Sequence, residues 1–155
     1  EKTMNMFQKL EWYNINNGMN MTEMLIDAYK ELTEVLSQHP SDIAILVPTH
    51  EEGINIVGLF EHRLGVESNH IFEKDGKMSF KNKKSFYMGD SRLKVCTIHS
   101  FKGWESKNLI IFIPNQNNDF QKLDKLVYTS ITRTLHNIIV MNYNDRYKEF
   151  GNSWN

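Results

Sequence analysis

The chain contains one cysteine, Cys96. No disulfide can form within it, so the fold must rest on a packed core rather than on covalent staples. Cys96 lies inside an apolar run, where a thiol is buried and inert, and a lone thiol fits a reducing, cytoplasmic compartment. The formal net charge is only -1. No global field therefore attracts nucleic acid, and any phosphate contact must come from a local cluster. No apolar run approaches the roughly 20 residues that span a bilayer, which leaves no role for a membrane, and no signal peptide is visible. Internal repeats and low-complexity linkers are missing too. So is the phosphate-cradling pattern Gly-x-x-x-x-Gly-Lys-Ser/Thr: Gly76-Lys77 has Ile71 where the first glycine belongs. No Asp-Glu pair follows an apolar strand. The chain thus has no phosphate loop and no magnesium ligands of its own. It opens on Glu1 rather than methionine, so an excised fragment is expected.

What is present alternates. With 155 residues, one domain with a single core is expected. Met4 to Ile15 reads as a short edge strand, and Asn16-Asn17-Gly18 as a turn. Thr22 can cap a helix carrying Met24, Leu25, Ala28, Leu32, Val35 and Leu36 at helical spacing, ending by His39-Pro40. The methionines at 4, 6, 19, 21 and 24 read as gap-filling core rather than a metal box. Ile43 to Val47 is a continuous apolar run suited to a central parallel strand. Glu51 to Leu64 is a second helix stopped by Gly65. Between Asn69 and Asp90, lysines 74, 77, 81, 83 and 84 mix with aromatics around an Asp75-Gly76 turn, which fits a hairpin. Such a mixture either holds single-stranded nucleic acid or simply solvates a hairpin at the core's edge. Leu93 to Ile98 and Leu109 to Ile113 are apolar strands. Phe120 to Leu135 is a third helix, and Ile138 to Met141 a last buried strand; the tail from Asn142 has no clear pattern. The alternation gives an α/β fold: a mainly parallel sheet with helices on both faces.

The residues between the strands ending at Ile98 and starting at Leu109 concentrate the chemistry. Hydroxyls, an imidazole, an ammonium, a glycine and a carboxylate follow one another at the C-terminal end of a strand, where open α/β sheets bind ligands. Thr97-Ile98-His99-Ser100-Phe101-Lys102-Gly103-Trp104-Glu105 resembles motif V of superfamily 1 helicases of the UvrD/Rep/PcrA type, in which Thr, His, Lys, Gly, a bulky apolar residue and Glu recur at these spacings. Leu126-Val127-Tyr128-Thr129-Ser130-Ile131-Thr132-Arg133-Thr134 resembles motif VI of the same family, with Thr134 in place of the usual alanine. Ile43 to His50, in the place of motif IV, matches poorly, and no stacking ring or second arginine is carried over from it.

The resemblance implies a RecA-like C-terminal (2A) motor domain. The whole chain, 1–155, would be that one domain, without the large 2B insertion of bigger members. ATP and Mg2+ would be bound mainly by an N-terminal RecA-like domain absent from this chain. Arg133 would then reach the γ-phosphate as an arginine finger, Glu105 would accept from the nucleotide ribose, and Gly103 would permit the turn between. Thr97, His99, Ser100 and Lys102 would face single-stranded DNA or a duplex junction. The whole protein would be an ATP-dependent DNA helicase, and the fragment alone would be inactive. The competing expectation is a RecA-like module that binds nucleic acid or protein without ATP, with Arg133 and Glu105 as remnants. A receiver-type signalling domain fits less well, because the strand at Ile43 ends in Pro48-Thr49-His50 rather than in an aspartate.

Overall fold

A computed structural model describes residues 9–72, 89–115 and 118–154. Among the described residues, six strands and four α-helices alternate. The order is β1 (Lys9–Asn14), α1 (Met21–Lys30), β2 (Ile43–Val47), α2 (His50–Leu59), β3 (Ser68–His70), β4 (Leu93–Thr97), β5 (Ser106–Ile113), α3 (Phe120–Thr132), β6 (Thr134–Asn142) and α4 (Lys148–Asn152). The strands form one sheet in the order β1-β6-β5-β2-β4-β3, and every pairing is parallel. The expected α/β class and the parallel sheet hold. β1 is an edge strand, as its mixed polar sequence suggests.

Burial explains the central strands. All five residues of β2 are fully buried, as are Val95 and Cys96 of β4 and Leu109 to Ile111 of β5. A strand covered on both faces reads as a continuous apolar run, and these do. Helices cover both faces. The rings of Tyr29 and Phe60 meet edge to face with centroids 4.9 Å apart, joining α1 to the end of α2 on one side. On the other side Asp124 of α3 accepts hydrogen bonds from Arg146 and Tyr147 at 2.7 and 2.6 Å. There Trp12 of β1 packs edge-on against Phe150 and Trp154, at 5.4 and 5.2 Å. The tail thus closes the core beside β1, although its sequence shows no pattern.

Several boundaries move, each for a local reason. Asn20, not Thr22, caps α1, its side chain accepting from the Glu23 amide at 3.3 Å. α1 and α2 each widen into a π-helical turn, over Glu31–Val35 and Phe60–Leu64. The second turn ends at Gly65, whose φ of 62° supplies the left-handed stop. α3 stops at Thr132, and β6 begins at Thr134 rather than at Ile138. β5 likewise starts at Ser106, before its apolar run. Those added strand residues are polar because Asn108 and Asn137 pair across the sheet, Asn137 Nδ2 donating to Asn108 Oδ1 at 2.6 Å. Met21 and Met24 pack against the core, whereas Met19 is exposed. The proposed hairpin around Asp75-Gly76 lies outside the described residues, as do Met4 and Met6.

Candidate functional site

The chain leaves β4 at Thr97, at the C-terminal edge of the sheet, and re-enters at Ser106, at the N-terminal edge of β5. Parallel strands usually need a helix to make that return. Here Ile98 to Glu105 make it alone, passing β2, which lies between β4 and β5. Ile98 to Gly103 are coiled into turns, and even at a helical rise of about 1.5 Å per residue there, followed by an extended run of about 3.3 Å per residue, the segment spans a five-residue strand of about 17 Å. The strap is pinned by Phe101, which is fully buried. The amide of Ile98 donates to Val47 O at 3.2 Å, and that of Trp104 to Phe101 O at 2.9 Å. Gly103 has a φ of 97°, and a Cβ there would meet nothing within 4 Å. The glycine is needed for its backbone angle, not for space.

This strap distributes the candidate residues over two edges. At the C-terminal edge, Thr97 is 8% exposed. Its hydroxyl accepts from the Ser100 amide at 3.1 Å and donates to Ser100 Oγ at 2.9 Å. The Thr97 hydroxyl therefore shapes the turn, and the half-buried Ser100 hydroxyl stands in front of it. His99 and Lys102 are exposed. His99 borders a cleft of about 300 Å³ shared with Pro48, Asp119 and Lys122, at the start of α3.

At the N-terminal edge, the backbones of Glu105 and Arg133 lie side by side. Each directly precedes one member of the register pair Ser106 and Thr134. The Ser106 amide donates to the Arg133 carbonyl at 3.2 Å, holding the two backbones side by side. Arg133 caps the C-terminal end of α3 and is half-exposed, while Glu105 is exposed. Neither side chain has an ion-pair partner among the described residues. A guanidinium and a carboxylate without ion-pair partners at one edge of a sheet suit a ligand that offers negative charge to one and hydroxyl donors to the other. Glu105 also lines a cleft of about 250 Å³ with Ser41, Asp42, Lys94 and Lys107.

Lys94 was not foreseen. It is 1% exposed on β4, and its ammonium donates to Ser41 O at 2.6 Å and to Asp90 O. Burial pushes its pKa below the ordinary lysine value. Nothing in an apolar-looking strand signals this lysine, because one of its carbonyl partners, Ser41, lies 53 residues away. Cys96 is fully buried and burial drives its thiol pKa up, so the inert reading of this thiol fits. Among the described residues no group of three or more His, Cys, Asp or Glu side chains converges as a metal site. None of their helices is long and apolar enough to cross a membrane.

No family model matches the chain, and no curated protein matches it by sequence. Among solved structures, the fold matches the crystal structure of the C-terminal domain of a possible DNA helicase from Lactobacillus plantarum WCFS1. The TM-score is 0.53 at 15% sequence identity, over 90% of this chain and 74% of that one. At this identity the likeness is one of fold. The chain is thus a parallel α/β domain with the fold of that C-terminal domain of a possible DNA helicase.

Proposed function

We propose that this chain is the C-terminal motor domain of an ATP-dependent DNA helicase or translocase of the UvrD/Rep/PcrA kind. The observation that carries the reading is the juxtaposition of Glu105 and Arg133 at one edge of the sheet, held by the 3.2 Å bond between the Ser106 amide and the Arg133 carbonyl. A fold like that of a possible helicase C-terminal domain supports it. Both side chains suit one side of a nucleotide. Bound ATP, held with Mg2+ mainly by a neighbouring N-terminal motor domain, supplies the phosphoanhydride to be cleaved. Arg133, planar and permanently charged, neutralises charge that spreads over the transferring phosphoryl oxygens. Glu105 accepts a hydrogen bond from a ribose hydroxyl, and Gly103 sets the turn that presents it. At the opposite edge His99, Lys102 and the Thr97–Ser100 hydroxyl pair contact the backbone of single-stranded DNA. The strap from Thr97 to Glu105 joins the two edges, so closure on the nucleotide and grip on the strand move as one body.

Arg133→Ala in the complete two-domain protein tests this. Nucleotide binding should persist while DNA-stimulated ATP hydrolysis falls by about 10³-fold or more, the scale of an arginine finger. Undiminished turnover would remove the finger role and favour the ATP-independent binding module.

A further inference from the structure

The largely apolar cleft between α1 and α2 is used by none of the residues assigned so far. It has a volume of about 370 Å³ and opens where β2, β5 and β6 end, beside Val47, Phe112 and Tyr143. The chain leaves β2 toward one face, into α2, and leaves β5 toward the other, into α3. The mouth of the cleft is therefore a switch point of the sheet, the place where open α/β folds take ligands. The volume suits a single planar ring system.

Its walls are apolar and its polar groups are few. Leu25, Pro48 and Phe112 supply flat or aliphatic surface. Glu52, Asn55 and Tyr143 supply the polar atoms. Glu52 is fixed by the start of α2: Thr49 Oγ1 donates to Glu52 Oε2 at 3.0 Å and accepts from the Glu52 amide at 3.3 Å. That leaves Oε1 as an acceptor. Tyr143 lines the same cleft as this carboxylate, and its pKa is pushed up to about 12, first by burial and then by the charge of Glu52. It therefore stays protonated at neutral pH as a donor, and no partner takes its proton among the described residues. Asn55 is exposed and brings both a donor and an acceptor. The cleft shares Pro48 with the His99 cleft and shares Met21 and Tyr143 with a third cavity, lined also by Asn16, Asn17 and Lys148. The three therefore adjoin one another along the C-terminal edge.

We infer that this cleft takes one nucleobase of a single strand lying along that edge, and that it favours a base with an exocyclic amine. This rests on the DNA-binding reading given above. Cytosine or adenine offers an amino group to Glu52 and ring acceptors to the Tyr143 hydroxyl and the Asn55 amide. Thymine lacks an amino group and offers only its N3–H, flanked by two carbonyls that the Glu52 carboxylate, which can only accept, repels. A well-formed contact of this type discriminates about fivefold or more between bases.

Fluorescence anisotropy with labelled oligo(dC) and oligo(dT) of equal length, on the whole chain, tests the inference. The expected result is binding of both, with oligo(dC) favoured about fivefold or more. Glu52→Gln should abolish that preference while leaving oligo(dT) binding intact or improved, because the amide can donate to a thymine carbonyl. Tyr143→Phe, which keeps the ring, should weaken oligo(dC) selectively. Equal affinity of the native chain for the two strands, or a preference that survives Glu52→Gln, overturns the base pocket and leaves the DNA reading standing. Failure of both strands to bind overturns the DNA reading and the pocket with it.

Discussion

Replacing Phe101 with alanine removes the side chain that fastens the strap to the sheet. Phe101 is fully buried, with a relative accessibility of 0%. Around it the strap has few backbone bonds, among them Phe101 N to Thr97 O at 3.1 Å and Lys102 N to His99 O at 3.4 Å, the second long. The paired strands limit how far the core can relax into the space the ring leaves. Truncating a phenylalanine under those conditions costs about 3–5 kcal/mol, a large share of the roughly 5–15 kcal/mol that keeps a domain folded. At a urea m-value of about 2 kcal/mol/M, the unfolding midpoint drops by roughly 1.5–2.5 M. Urea titration followed by far-UV circular dichroism measures it, with Leu135→Ala as control. Leu135 is 48% exposed, and its truncation should move stability by at most about 0.5 kcal/mol. A Phe101→Ala loss below about 1 kcal/mol would mean that the strap is held by something other than this ring. The account of how Thr97 and Glu105 are kept at opposite edges would then fail.

Two neighbouring glycines in α2 should respond oppositely. A Cβ at Gly53 would lie 2.3 Å from the Phe72 ring, whereas Gly58 has nothing within 4 Å. Gly53→Ala should therefore destabilise by about 1–3 kcal/mol through overpacking, and Gly58→Ala should stabilise by up to about 1 kcal/mol through helix propensity; thermal melts of both variants distinguish steric from propensity effects, and equal shifts would contradict the close approach. The Asp90 carboxyl is held at about 2, below its ordinary 3.8, chiefly by hydrogen bonding to Arg92 at 2.8 and 2.7 Å. Its folded pKa is depressed, so its contribution is complete above about pH 4 and is lost as pH falls through about 2. Arg92 is 38% exposed, and solvent screening reduces that contribution to about 1 kcal/mol. Asp90→Asn should flatten the stability profile between about pH 4 and pH 2; a profile unchanged by the substitution would rule out this pair as a source of acid sensitivity.

The backbone pattern was legible because burial on both faces leaves a direct mark in composition. Ile43 to Val47 reads as a strand and is one, with the same ends. The polar starts of β5 and β6 were not legible. Asn108 and Asn137 are acceptable inside a sheet because of distant partners: Asn137 donates to Asn108, 29 residues away, and Asn108 donates to Gln38 and to the Asp42 carbonyl. The same limit hid the tail, whose Phe150 and Trp154 acquire a purpose only against Trp12.

The sequence by itself determined the class of fold and most of its strands and helices, β3 and α4 excepted, since periodicity and apolar runs are local properties of a chain. It also marked out Thr97 to Glu105 and Arg133 as residues worth following. Which of them share a surface was decided only by strand pairing. The register that sets Ser106 against Thr134 brings Glu105 beside Arg133. The buried Phe101 carries the strap across the sheet and leaves Thr97 at the far edge. The cleft formed by α1, α2 and Tyr143 belongs wholly to the tertiary structure, because its walls come from separate segments that meet only when the sheet is assembled.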